Sequence, residues 1–304
     1  MKVNYNRKKL GLKASNMLGQ ILLNVFFVIF CVIILYPFVM LVSASLSSEY
    51  NISMYGYRLI PISIDFSAYK YVMKNPTQLL NAYEVTIAVS VIYMVLSVIL
   101  MAMIAYPLSR DGFKGKRGLS FYLYFTMLFS GGLAPSYILI TQFLHLNNTL
   151  WVYILPGLIS PWYVFMMRTF FSGIPTSIIE SAEIDGAREF QIFTRFVFPL
   201  SKPVIAAVAL FMFLSKWNDW FTAMLYIDDE KLISLQYLLQ RILKKIELLS
   251  SLEGNARSLA EGETIPAQTV RMAMAMLVAG PALVVFPFFQ KYFVKGLTVG
   301  AVKG

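Results

Sequence analysis

Three carboxylates fall within six residues in Glu180-Ser-Ala-Glu-Ile-Asp-Gly-Ala187, and long apolar segments lie on both sides of that stretch. So many charges are costly at membrane depth, so this island leaves the bilayer, where it can dock. Ser177-Ile178-Ile179-Glu180 has the form of a capping box: the Ser177 hydroxyl accepts from the Glu180 N–H, and the Glu180 carboxylate reaches back. Pro175 precedes it, and Gly186 is placed to stop the helix in the left-handed conformation. The spacing predicts a helix of about two turns, then a second over 187–198 that ends at Pro199. Phe190, Phe193, Phe196 and Val197 recur on that second helix at helical spacing. A two-turn helix is unstable alone in water. It leans either on its own protein, as an ordinary loop, or on a partner's groove.

A second polar group interrupts an apolar run: Lys216-Trp-Asn-Asp-Trp220. Intramembrane charges are functional by default, and indole faces beside an amide and a carboxylate are what a pathway needs to grip a sugar. The competing reading places the cluster in the aromatic belt, with Lys216 reaching to the interface. Ser130-Gly-Gly-Leu-Ala-Pro135 frees backbone groups that only protein or a water-filled cavity can satisfy. It is either a broken helix at a substrate site or a kinked, close helix crossing. Candidate pathway residues are therefore Trp217, Asn218, Asp219, Trp220, Gly131, Gly132 and Tyr137. The lone His145 beside Asn147 and Asn148 reads as a solvated turn residue, with no second His or Cys cluster to build a metal site. Cys31, the single cysteine, reads as a small buried hydrophobe and excludes a disulfide scaffold. No catalytic set of paired acids or metal ligands shares a face. Gly112-Phe-Lys-Gly-Lys116 lacks the spacing of a phosphate-binding loop.

The elements that must position these groups are membrane helices. Of 304 residues 58% are hydrophobic and 14% charged, against about a quarter charged in a soluble domain. Six segments reach the length of about 20 apolar residues that a span needs: 18–43, 82–108, 119–144, 150–171, 204–227 and 267–289. The first follows a basic start and ends near Ser43-Ala44-Ser45, but its apolar core exceeds the ~7–15 residues of a signal peptide, so an uncleaved span is expected. With the N-terminus inside, sixteen lysines and arginines fall on cytoplasmic segments and eight on the opposite loops. That bias places both termini in the cytoplasm and makes the net charge of +10 topological, with no nucleic-acid partner implied. The expected organisation is an N-terminal arm (1–17), a six-span domain (18–293) and a C-terminal tail (294–304). External loops are expected at about 46–80 and 228–266, and a cytoplasmic loop at about 173–203. The second external loop contains a helix-like stretch over 235–249. Both outer loops are open to reading as spacers or as a docking face.

The island and its surroundings also carry a resemblance. Glu180-Ser-Ala-Glu-Ile-Asp-Gly186, followed by Phe196-Val-Phe-Pro199, resembles the EAA loop of ABC-importer permeases, with Ser181 at the first alanine and Phe196 and Phe198 at the aliphatic pair. Met167-Arg-Thr-Phe-Phe-Ser-Gly-Ile-Pro175, Asn148-Thr-Leu-Trp151, Trp217-Asn-Asp219 and the tail Gly296-Leu-Thr-Val-Gly-Ala-Val-Lys-Gly304 are similar to sugar-transport permeases, so the similarity covers most of the chain from Ala82 onward. It points to the MalG-like branch of type I carbohydrate importers. Phe129-Ser-Gly-Gly-Leu133 resembles a subgroup associated with complex, sometimes acidic, oligosaccharides.

The resemblance implies an all-α type I importer permease in the bacterial cytoplasmic membrane, a subunit that is not itself an enzyme. ATP and Mg would sit on partner subunits and no cofactor on this chain. The implied partners are a second homologous permease, two copies of a cytoplasmic ATPase, an external sugar-binding protein and lipid. Glu180, Ala182, Glu183, Asp185, Gly186 and Ala187 would form the joint to the ATPase, with Lys303 and Gly304 as secondary contacts. A secondary transporter or channel for a small polar solute is the alternative; it needs symmetric halves or ion-coordinating acids, and only Glu84 and Asp219 lie near membrane depth.

Overall fold

The computed structural model describes residues 3–251 and 266–301, so Lys303 and Gly304 lie outside the described residues. Every regular element among them is helical: α1 (Val3–Ser45), α2 (Glu49–Tyr55), α3 (Ser67–Val72), α4 (Pro76–Ser109), α5 (Lys116–Leu128), α6 (Leu133–Ile138), α7 (Trp151–Ile154), α8 (Pro161–Ser172), α9 (Thr176–Ile184), α10 (Glu189–Ile192), α11 (Phe198–Leu200), α12 (Lys202–Trp217), α13 (Phe221–Tyr226), α14 (Leu235–Ser251) and α15 (Ala267–Ala301). Wider π-helical turns occupy Leu139–Phe143 and Phe193–Val197. One isolated bridge joins Ser47 and Ile64.

Three helices are long and apolar enough to cross a membrane without interruption: Gly19–Ser45, Pro76–Ser109 and Ala267–Gln290. The other three expected spans are broken. Residues 119–144 bend by 111° between α5 and α6. Residues 150–171 stop at Ile154 and resume at Pro161, across Pro156 and Gly157. Residues 204–227 stop at Trp217 and resume at Phe221. The second bent pair, at 81°, is the turn from residues 189–200 into α12.

The described residues form two compact units. In the first, which runs to Lys74 and includes the start of α15, α1 exposes apolar side chains on all sides, as a helix facing hydrocarbon does. Cys31 shares that exposure and is not the buried hydrophobe expected, because the stretch of α1 around it is exposed throughout. The Glu49 carboxylate accepts from the Gln268 and Thr269 N–H groups at 2.9–3.1 Å, which neutralises the positive end of α15. The Ser48 hydroxyl caps α2, and Asp65 accepts from the Ser67 N–H at the start of α3.

The second unit is organised around α4, which packs along α12 and α8. Its contact face intersperses small residues among larger ones, with Ser90, Ser97, Ala102 and Ala105 fully buried; small side chains let membrane helices approach closely. Breaks between helices and prolines within them leave backbone groups to satisfy, and large side chains of this unit do so. Pro281 has no N–H for the Leu277 carbonyl four residues back, and the Tyr83 hydroxyl donates to that oxygen at 2.6 Å. The Trp217 indole donates to the neighbouring Val278 carbonyl at 3.0 Å. At the break between α7 and α8, Gly157 takes φ +80°, and the Tyr93 hydroxyl donates to its carbonyl at 2.6 Å. Tyr153 donates to the Leu232 carbonyl ahead of α14.

Tyr93→Phe leaves the Gly157 carbonyl without its donor inside the bundle and is expected to cost about 1–2 kcal/mol. Thermal unfolding of the purified protein in detergent checks this; an unchanged melting temperature contradicts it.

Candidate functional site

The acidic island forms α9 and its C-terminal stop. The helix begins at Thr176, one residue before the expected cap. Pro175 occupies the N-cap position without a side-chain hydrogen bond. Its missing N–H and fixed φ suit a helix start, which puts Ser177 inside the first turn. The Ser177–Glu180 capping box is therefore not formed; instead the Ser181 hydroxyl donates to the Ser177 carbonyl at 2.7 Å. The stop is as expected: Gly186 has φ +81°, its N–H donates to the Glu183 carbonyl at 3.0 Å, and the Ala187 N–H donates to the Ala182 carbonyl at 2.9 Å. That pair of bonds is a Schellman motif.

The two faces of α9 differ sharply. Ile179 and Ala182, at 6% and 4% exposure, pack into the unit's apolar core with Ile192 and Val197. Glu180, Ser181, Asp185 and Gly186 are exposed, and Ile184 stands 86% exposed at the tip. Ala182 thus fixes the helix to its own protein, while Ile184 projects outward among the carboxylates. The second helix also differs from expectation. It starts at Glu189, where the Gln191 side chain accepts from the Arg188 N–H at 2.9 Å, and it passes Pro199 to Leu200. The π turn directly before Pro199 widens the helix where a proline ring otherwise collides with the preceding turn.

Sequence reasoning missed the residues that hold this loop from the side. Arg110, at the C-terminal cap of α4, pairs with Glu183 and lies 3.8 Å from Glu189. Tyr106, one turn earlier, donates its hydroxyl to Glu189 and sets its ring 5.2 Å from that of Phe193. A groove of about 490 Å³ runs beside the cluster, lined by Met103, Pro107, Phe113, Phe190 and Phe193 among others. The partners of Arg110 lie more than seventy residues away in sequence, and no local pattern announces such a pair.

The polar cluster of the fifth expected span divides. Trp217 is 2% exposed, stacked on Phe213 and bonded to α15; burial withdraws it from any pathway surface. Lys216 and Asp219 form an ion pair at 2.9 Å with side chains 12% and 14% exposed, and the ammonium lies 4.9 Å over the Tyr93 ring. Asp219 also accepts from the Thr222 N–H and hydroxyl, which caps the start of α13 and explains the unforeseen break. Asn218 is exposed and accepts from the Gln236 side chain, and Trp220 is half-buried. Gly131 and Gly132 form the bend between α5 and α6, where the Ser136 hydroxyl donates to the Gly132 carbonyl. Tyr137, 43% exposed, stacks on Tyr226 at 5.5 Å, so α6 meets the end of α13. His145 is an exposed turn residue with φ +49°, as expected.

Comparison with known proteins agrees with the resemblance. Residues 99–299 match the family described as binding-protein-dependent transport system inner membrane component. The polygalacturonan/rhamnogalacturonan transport system permease YtcP of Bacillus subtilis is 36% identical over 95% of this chain and its own full length. The arabinooligosaccharides permease AraQ of the same organism is 29% identical over 94% of this chain and 96% of its own. A chain from the crystal structure of a bacterial ABC transporter involved in import of the acidic polysaccharide alginate superposes with a TM-score of 0.76 at 30% identity, covering 92% of this chain and 98% of that one.

Asp219→Leu strands the Lys216 ammonium in a nearly buried site and is expected to cost about 3 kcal/mol, whereas Lys216→Met/Asp219→Leu loses less because no unpaired charge remains. Melting of the purified variants checks the order; a double variant less stable than the single contradicts it.

Proposed function

The chain belongs to the family of binding-protein-dependent transport system inner membrane components, and from that premise we propose that it is a permease subunit of an ATP-driven importer of oligosaccharides. In this reading six segments cross the membrane, three of them broken, with both termini in the cytoplasm. The observation that carries the coupling role is the two-faced α9. One face is anchored in the protein's own core, and the other presents Ile184, Glu180 and Asp185 outward at a fixed stop. Such a surface enters a cleft on a cytoplasmic ATPase, and closure of two ATPase copies moves the spans through it. Glu183 and Ala187 hold the geometry of the joint. ATP and Mg belong to those partner subunits. A second homologous permease completes the pathway, and an external binding protein delivers the sugar.

The substrate reading follows the relatives. Permeases of this likeness serve polygalacturonan or rhamnogalacturonan and alginate systems, so we assign this chain to acidic oligosaccharides. On the pathway side the exposed Asn218 and Tyr137, the half-buried Trp220, and the bend at Gly131 and Gly132 remain the candidate contacts. A secondary transporter is disfavoured by a specific observation: Asp219, one of two acids near membrane depth, is neutralised by Lys216 and engaged with Thr222.

Affinity purification of this chain from its native membrane is expected to bring down an ATPase and a second permease. Isolation of the chain alone, with solute uptake that needs no ATP, contradicts the proposal. Within this chain a Cβ at Gly186 meets no neighbour, so substitution there strains only the left-handed backbone, at about 1–2 kcal/mol. Gly186→Val is therefore expected to lower ATP-driven uptake about ten-fold, with Gly186→Asn close to the native protein, since Asn tolerates that conformation. Equal uptake by all three in vesicles bearing the assembled complex contradicts a role for the stop.

A further inference from the structure

We infer that Arg110 is a positioning residue that latches the coupling loop to α4, so that motion imposed on α9 enters the central helix directly. The inference rests on the coupling role proposed for α9. The loop is covalently continuous with α8 through residues 173–175 and with α12 through residues 185–201. It has no such continuity with α4, the helix on which both α8 and α12 pack. Only side chains make that third connection. Arg110 pairs with Glu183 on α9 and approaches Glu189 on α10, and Tyr106 holds Glu189 from the preceding turn of α4. The latch also sits where the guanidinium complements the negative end of α4. Just inside it, Met101, Ala102, Ala105 and Leu108 are fully buried, in one cluster with Val164 and Met167 of α8 and Val208 of α12. A displacement of the last turn of α4 is thereby a displacement of the core.

Magnitude separates a latch from a structural brace. The Arg110 side chain is 24% exposed and that of Glu183 45%, and ion pairs this open contribute little to stability. Removing the pair therefore leaves assembly intact and acts on transmission. Loss of Arg110 removes the bond that ties Glu183 to α4, leaving Tyr106 and Glu189 as the remaining polar tie.

The test uses the assembled complex with Cys31 replaced by serine and spin labels at two exposed positions outside the proposed joint, Met103 on α4 and Ser177 on α9. The distance between labels is read with and without trapping by ATP and vanadate, so no transported sugar is needed. In the native background the distance is expected to stay constant on trapping. In Arg110→Glu it lengthens by more than the width of the native distribution, and in Arg110→Glu/Glu183→Arg it returns to the native value. Should Arg110→Glu not assemble, Arg110→Gln carries the same reading. A native distance that changes on trapping, or a constant distance in the Arg110 variants, overturns the latch. Failure of the complex to contain an ATPase at all, read by co-purification, overturns instead the coupling role on which the latch rests.

Discussion

A helix broken inside a membrane exposes backbone groups that lipid cannot bond, and the arrangement of the second unit follows from how those groups are satisfied. The Pro281 gap in α15 is filled by the Tyr83 hydroxyl, and the next carbonyl takes the Trp217 indole. The break ahead of α8 is closed by Tyr93, and Tyr153 binds the Leu232 carbonyl before α14. Each of these donors is a large side chain, and the rings of Tyr93, Tyr153 and Trp217 also fill the core, so one residue supplies both packing and a polar tip. The ion pair of Lys216 and Asp219 belongs to the same economy. It lies over the Tyr93 ring and caps α13, so the breaks before α8 and after α12 meet at one residue of α4.

This places α4 at the centre of the account. Its middle carries polar connections to the neighbouring spans, and its C-terminal end holds the acidic loop. Between the two, the inward face of the stretch from Val98 to Leu108 is buried in the core, and close-packed interiors transmit displacement more readily than they absorb it. In the proposed function the chain supplies a lever and a path, and the chemistry that drives them belongs to partners.

The sequence disclosed what is local. The charged island, the Gly186 stop, the bend near Gly131 and the helix over 235–249 are each written in a few adjacent residues, and each is found in the structure. The start of α9 shifted because Pro175, read as a flank, is itself the cap. The break at residues 218–220 has no proline or glycine, but Asn-Asp ahead of an apolar run is an N-terminal helix signal, and Thr222 confirms its use. The burial of Trp217 and the partners of Arg110 depend on residues about sixty to more than seventy positions away. Their pattern exists only after the helices have packed.

The central claim is that the outward face of α9 is a contact for a nucleotide-hydrolysing subunit. A photo-crosslinking residue placed at Ile184, the exposed tip of that face, tests it most directly in native membranes, with the exposed Phe30 position on α1 as control. The account predicts an adduct at 184 that contains an ATPase and is absent from 30. No ATPase adduct at 184, or equal capture from both positions, contradicts it.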